Sequence, residues 1–299
     1  MAVKKTNFYD FPHPMDNDAL VGHGAVLRTF MDSWENRHIR PIHPVWMLSG
    51  ARGIGKATFA YRIAKMVCGN IGDFFIIDME RNIDKDGKPK TDGRVISVHT
   101  IRNMIRKMHL SSMSGEWRVI LIDSVDELNA AASNAMLKLL EEPPEKTIFL
   151  LVAHQLANVL PTVRSRARVE KMNPLSISEL RELCARFMPD AEISASALRL
   201  ANGSFGKIAN LKKSGGDEIY SELIRLLENP KANSADMLNI ARKIAPNPEL
   251  YGILLDVVAH FGLADLYPSA ARAIADIGRI YLEPETGLFK IIKEIKKCL

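Results

Sequence analysis

The chain is short of cysteine, of long apolar runs and of any leader-like segment, and each shortage excludes a class of protein. Its 299 residues hold three cysteines, Cys68, Cys184 and Cys298, none with a second cysteine at metal-ligand spacing. That count excludes a disulfide framework and a zinc ribbon and points to a reducing compartment. The longest stretch free of Lys, Arg, Asp and Glu, residues 147–163, is broken by His154, Gln155, Asn158 and Pro161. It is too polar and too short to span a bilayer. Lys4 and Lys5 are followed by no apolar core, so no signal peptide is expected and the chain is expected in the cytosol. Nor does the composition fit disorder or a fibre, being 47% apolar and 25% charged over a length suited to two or three domains. A net charge of +5 permits a nucleic acid or an acidic protein as partner and demands neither.

What is present begins with an apolar strand at 45–48 that runs into Gly50, Gly53, Gly55 and Lys56, followed by a helical pattern at 58–67. Glycines at those positions let the backbone turn with its N–H groups inward, the helix N-terminus adds positive dipole, and Lys56 reaches toward terminal phosphates. The spacing predicts a phosphate-binding loop with one part missing. Magnesium needs a hydroxyl directly after the lysine, and that position is Ala57. Thr58 comes one residue late, turned by about 100° around the helix. The plainer alternative is a glycine-rich turn that holds no ligand.

The run 117–123 ends in Asp123 and reads as a buried parallel strand projecting a carboxylate toward a nucleotide site. Asp123 as a simple cap of the next helix is the alternative. An active ATPase of this kind places glutamate next, as the base that polarises the attacking water, whereas here the residue is Ser124. Asp126 and Glu127 are expected at the start of the helix that runs to Glu142, where negative charge is favourable, and Pro143-Pro144 stops it. Residues 95–98 and 147–152 are expected as further strands, 78–94 as a charged surface excursion and 99–110 as a helix. The segment 160–166 is expected to close an α/β part with a parallel sheet flanked by helices.

From Pro174 onward no strand is expected. Ser176 and Glu179 form a capping box, 194–201 and 207–212 read as helices around a turn at 202–204, and 214–216 (Ser-Gly-Gly) reads as a linker. Ser234 and Asn247-Pro248 are each expected to start a helix. Near the end, Lys290, Lys293, Lys296 and Lys297 lie on a helical pattern, read as a solvated face in preference to a DNA-binding patch.

Six segments together resemble the clamp-loader branch of AAA+ proteins over most of residues 20–212. They are 20–23, 50–58, 96–98 with Ile101 and Arg102, 117–126, 134–138 with 140–144, and 161–166. The last two are the specific ones, since a phosphate loop alone admits many unrelated ATPases. Residues 1–19, polar and punctuated by proline, are expected as a mostly irregular arm, and the resemblance implies a P-loop AAA+ base domain at 20–172, a small helical lid at 173–213 and an all-helical collar at 214–299. It also implies partners: other clamp-loader subunits in a hetero-pentameric ring, a sliding clamp and, through the complex, primer-template DNA, with no membrane. In that branch a Ser-Arg-Cys motif sends an arginine finger into the neighbouring subunit's nucleotide site. Ser165 and Arg166 match it, while Ala167 replaces a cysteine that takes no part in phosphate chemistry. For Arg166 the alternative is an ordinary surface ion pair.

Further departures suggest an inert site. Where active members carry Thr in the strand around 153–154 this chain has Ala153-His154, and where they carry Gly-Ser-x-Arg it has Gly203-Ser204-Phe205-Gly206. Many relatives insert a four-cysteine zinc module after the first helix. Residues 69–94 hold no cysteine, so neither zinc nor any other metal is expected. The nucleotide-binding candidates are Gly50, Gly53, Gly55, Lys56, Thr58 and Asp123, holding ATP and magnesium weakly or not at all, with no cofactor required. The resulting expectation is a subunit that does not hydrolyse ATP and lends Arg166, beside Ser165, to a neighbour. A catalytically active motor subunit and a small-molecule P-loop kinase are the alternatives.

Overall fold

The computed structural model describes residues 17, 19–68, 73–78, 95–108, 117–277 and 283–299. Nearly all of the expected arm, the excursion at 79–94, most of the cysteine-free segment and residues 109–110 of the expected helix lie outside the described residues. The chain divides into two compact units, within Phe11–Leu183 and Cys184–Leu299.

The first unit alternates helix and strand. Helix α1 (Gly24–Glu35) precedes strand β1 (Val45–Ser49), and α2 (Lys56–Val67) leads to β2 (Phe74–Ile77). Then follow α3 (Val98–Met108), β3 (Arg118–Asp123), α4 (Ala130–Glu141), β4 (Thr147–Ala153), the single turn α5 (Pro161–Arg164) and β5 (Arg168–Lys171). The sheet runs β2-β3-β4-β1-β5 and every pairing in it is parallel. Side chains alternate across a strand, so both faces are covered. Trp46, Leu48, Val119, Leu121, Leu150 and Val152 pack toward α1 and α2. Val45, Met47, Ile120, Ile122, Phe149 and Leu151 pack toward α3 and α4. Burial on both faces is why these strands read as continuous apolar runs, without a polar alternate.

Two readings of this unit are corrected. Residues 95–98 are not a strand of the sheet. Ile96 makes one isolated parallel bridge to Leu128, and the Ser97 hydroxyl then accepts the Thr100 N–H at 3.3 Å. A hydroxyl that satisfies an amide of the first turn starts a helix, and α3 begins at Val98. The α/β part closes with β5, not with the segment before it. Sequence reasoning missed β5 because Arg168, Val169, Glu170 and Lys171 carry no apolar run. Among the described residues it is an edge strand, pairing on one side along β1, and charged residues suit such an edge.

Gly50 follows β1, and here the sheet sets a steric limit. A Cβ at Gly50 would stand 2.4 Å from the Met172 carbonyl oxygen and 2.8 Å from Ile54 Cδ1. The neighbouring bond, Met172 N–H to Ser49 carbonyl at 2.8 Å, fixes that backbone in place. Gly50→Ala is therefore expected to destabilise the protein by about 2 kcal/mol, the cost of forcing an atom into a packed site. Urea unfolding at pH 7 measures it, and a variant as stable as wild type contradicts this packing.

Helix α6 (Ile177–Phe187) starts on the expected capping box. The Ser176 N–H donates to Glu179 Oε2 at 2.7 Å and the Glu179 N–H to Ser176 Oγ at 3.2 Å. In the second unit α7 (Ala195–Ala201), α8 (Phe205–Ser214), α9 (Gly216–Glu228), α10 (Ser234–Ile244), α11 (Ile253–His260), α12 (Tyr267–Asp276) and α13 (Pro284–Lys297) follow. They enclose one core that includes Leu211, Leu223, Ile240, Leu254, Val257, Leu288 and Ile292.

The residues 214–216 do not form a linker. Gly215, at φ +67°, is the single residue between α8 and α9, and a Cβ on Gly216 would meet Leu211, Leu250 and Ile253 at 2.8–3.1 Å. The two glycines make a tight elbow, one by conformation and the other by lack of room. Helix α10 starts at Ser234 as expected, capped by Asn233 in a capping box with Asp236. Pro248 starts only a 3-10 turn, with α11 beginning at Ile253. On α13, Lys296 donates to the Leu227 and Asn229 carbonyls at 2.7 and 2.9 Å. Lys297 pairs with Glu294, which leaves that face solvated and internally committed.

Candidate functional site

The loop lies at the carboxyl end of β1, and Asp123 at the carboxyl end of β3, with β4 between them. Ligands of open parallel sheets bind at that edge. Gly53 and Gly55 take φ +77° and +102°, conformations in which a side chain is strained, so these two glycines make the curve of the loop. Gly50 contributes close packing instead. Thr58 stands in the first turn of α2, half-buried.

Lys56 is 3% exposed. Its ammonium donates to the Gly50 and Ala51 carbonyls at 2.7 and 2.5 Å. Burial lowers its pKa to about 8, with the charges of Asp123 and Asp126 partly opposing the drop. The amine is thus still charged at neutral pH and spent on its own loop, and a phosphate must draw it off two carbonyls. Asp123 is pushed above the usual carboxylate range, first by burial and then by Asp78, with Lys56 acting the other way. The structure therefore brings Lys56 and Asp123 into one electrostatic site. Asp123 does not cap the following helix, because Asn129 does, accepting the Ala132 N–H at 2.7 Å.

Asp126 and Glu127 are not in that helix either. They lie in a 3-10 turn before it, and both act across the site. Asp126 accepts the backbone N–H groups of His154 and Gln155 at 3.0 and 2.9 Å, and Glu127 pairs with Arg52 of the phosphate loop. Ser124 is held at φ +73°, and its hydroxyl lies 3.0 Å from His154 Nε2. So the two positions that read as inert from sequence, 124 and 154, are bonded to each other. Burial, with the charges of Lys56 and Arg52, depresses the His154 pKa to about 4, leaving the ring neutral at physiological pH.

His23, at φ +58°, joins the loop from the N-terminal side, with Nε2 donating to the Ile54 carbonyl at 2.7 Å. Sequence reasoning missed Arg52, His23 and the cross-site roles of Asp126 and Glu127. None sits at a motif position that names its partner, and all of their contacts are long-range.

The residues present fit the phosphate half of a nucleotide site better than its metal half. A curved loop, a helix N-terminus and a lysine are there, while position 57 offers only a methyl group. Among the described residues no group of three or more His, Cys, Asp or Glu side chains stands together as a metal site.

Arg166 lies well apart in the chain from this loop, in the turn after α5. Its guanidinium donates from Nε to Glu141 Oε1 at 3.0 Å and from Nη1 to the Thr162 carbonyl at 2.8 Å, and Nη2 also reaches Glu141 Oε1. Ser165 donates to the same Thr162 carbonyl at 3.2 Å. The ion-pair alternative for Arg166 is thus present in the isolated chain. It is a surface pair, with 31% of the Arg166 side chain and 48% of the Glu141 side chain exposed, so the guanidinium is not folded into the interior. Pairs this exposed contribute at most about 1 kcal/mol.

A parallel sheet in this order, with a phosphate loop after β1 and an acidic tip on β3, defines a P-loop unit of the AAA+ class. The family model for "DNA polymerase III, delta subunit" matches residues 23–176, and the chain belongs to that family. The gamma subunit of DNA polymerase III from Buchnera aphidicola is 27% identical over 212 residues, covering 66% of this chain and 58% of that protein. The delta-prime subunit from Yersinia pestis is 32% identical over 144 residues, covering 48% and 39%. The chain thus spans less than two thirds of the length of these curated relatives. The crystal structure of a gamma-subunit-related protein from Thermotoga maritima aligns at TM-score 0.50 and 16% identity, over 89% of this chain and 98% of that one. At that identity the likeness is one of fold. No helix among the described residues is long and apolar enough to cross a membrane.

Proposed function

We propose that this chain is a non-hydrolysing, delta-prime-type subunit of a bacterial clamp loader. It sits in a cytoplasmic hetero-pentameric ring with other clamp-loader subunits, helps that ring open a sliding clamp onto primer-template DNA, and lends Arg166 to a neighbour's ATP site. ATP and magnesium are held weakly or not at all in its own loop, and no zinc is needed. The observation that carries this reading is a pairing of losses with one retention. The metal hydroxyl is replaced by Ala57 and the base by Ser124, whose hydroxyl is engaged by His154, while Arg166 stays at the surface. A guanidinium there meets charge developing on a transferred phosphoryl group.

Similarity to gamma subunits favours a second reading, an active motor subunit, and turnover by the isolated chain separates the two. Purified protein with magnesium and ATP is expected to release no phosphate above background in a coupled assay. A magnesium-dependent rate near 1 per second, the low end of ordinary enzymes, overturns the proposal.

A further inference from the structure

We infer that Glu141 is the positioning residue for Arg166, holding the guanidinium by one edge so that the second N–H of Nη2 faces outward for a phosphoryl group. The inference rests on the reading of Arg166 as a finger given in trans. A guanidinium has five N–H donors in a fixed planar fork. In this chain Nε and Nη2 give one each to Glu141 Oε1 and Nη1 gives one to the Thr162 carbonyl. Nη1 also donates to Ser165 Oγ at 3.5 Å, so four donors have partners within the chain and the second N–H of Nη2 is left. A charged N–H of that kind is the donor a phosphoryl oxygen takes in a short, charge-assisted bond.

The holder is itself rigid. Glu141 is the last residue of α4, whose Met136 and Leu140 are buried in the sheet core, and Pro143 and Pro144 bar the helix from extending. Thr162 belongs to α5, anchored in the same core by the fully buried Val163. A long arginine side chain on an open surface samples many rotamers. Tying both ends of its fork to two anchored helices removes most of them before a neighbour arrives, and orientation settled in advance lowers the barrier of the step it serves. Glu141 touches no reacting atom in this scheme. Its whole effect passes through Arg166.

The test is steady-state, DNA-stimulated ATP hydrolysis by a complete reconstituted loader carrying wild type, Glu141→Ala, Glu141→Gln, Arg166→Ala or the double alanine variant. Assembly and melting temperature are checked for each. Glu141→Ala is expected to lower kcat by roughly ten- to hundredfold with KM for ATP unchanged, and Glu141→Gln, which keeps an acceptor oxygen, to recover most of that loss. The double variant is expected to equal Arg166→Ala alone. Full activity in Glu141→Ala while Arg166→Ala is impaired overturns the inference and leaves the finger reading standing. So does a faster Glu141→Ala, which would make the carboxylate a brake. Wild-type activity in Arg166→Ala overturns the finger reading itself, and the inference with it.

Discussion

Arg166→Ala in a reconstituted clamp loader is expected to cut ATP hydrolysis at the site it completes by at least about 10³-fold, the low end for loss of an arginine finger. The subunit's fold should be untouched. Arg166 is partly exposed and its ion pair with Glu141 is at the surface, so its removal costs at most about 1 kcal/mol of stability. That contrast, a large rate effect against a small shift in melting temperature, is the signature of a group that works outside its own chain. DNA-stimulated phosphate release by the whole complex is the measurement. An unchanged rate would mean that the Glu141 pair is the only thing Arg166 does.

The second large effect concerns the bonded pair Ser124 and His154, which follow the carboxyl ends of β3 and β4. His154 is neutral in the folded protein because burial and the nearby Lys56 and Arg52 charges hold its pKa near 4, against 6.5 for an ordinary imidazole. Between those values the unfolded chain takes up a proton that the folded chain refuses, so acidification favours unfolding. The stabilisation is complete above pH 6.5 and is lost as pH falls toward 4. A gap of 6.5 − 4 = 2.5 pH units at about 1.4 kcal/mol each is an upper bound, and solvent screening of this half-buried ring brings the expected loss to about 1–2 kcal/mol. His154→Gln is expected to remove that dependence. Urea unfolding of both proteins at pH 7 and pH 4.5 isolates it, because the carboxylates titrate alike in each. A wild-type-minus-variant difference that stays constant with pH would show that the ring is solvated.

Much of the site could be read from residue order. Gly53 and Gly55 turn at positive φ as the spacing suggested, Lys56 and Asp123 feel each other's charge, and Ala57 and Ser124 are visible as letters. Asp126, Glu127, Arg52 and His23 were not legible in this sense, because each acts on a residue between 28 and 75 positions away. The charge of Asp126 suits a helix start as well as it suits the backbone of 154–155. Local propensity cannot choose between two acceptable uses of one carboxylate; the strand order, which sets β4 beside β3, does choose. Lys56 offers the same lesson in reverse. Its position in the motif was plain, but that its ammonium lies on its own loop's carbonyls is a matter of packing.

Sequence alone determined the class of this protein, the apolar strands, most helix starts and which residue types stand at the motif positions, since these follow from residue type and short spacing. Tertiary structure alone decided that 95–98 turns into a helix, that 168–171 completes the sheet, and that Ser-Gly-Gly at 214–216 is a packed elbow. It also decided that Glu141 grips Arg166. Each of these depends on which distant atoms occupy the neighbouring space, and no count of residues along the chain contains that information.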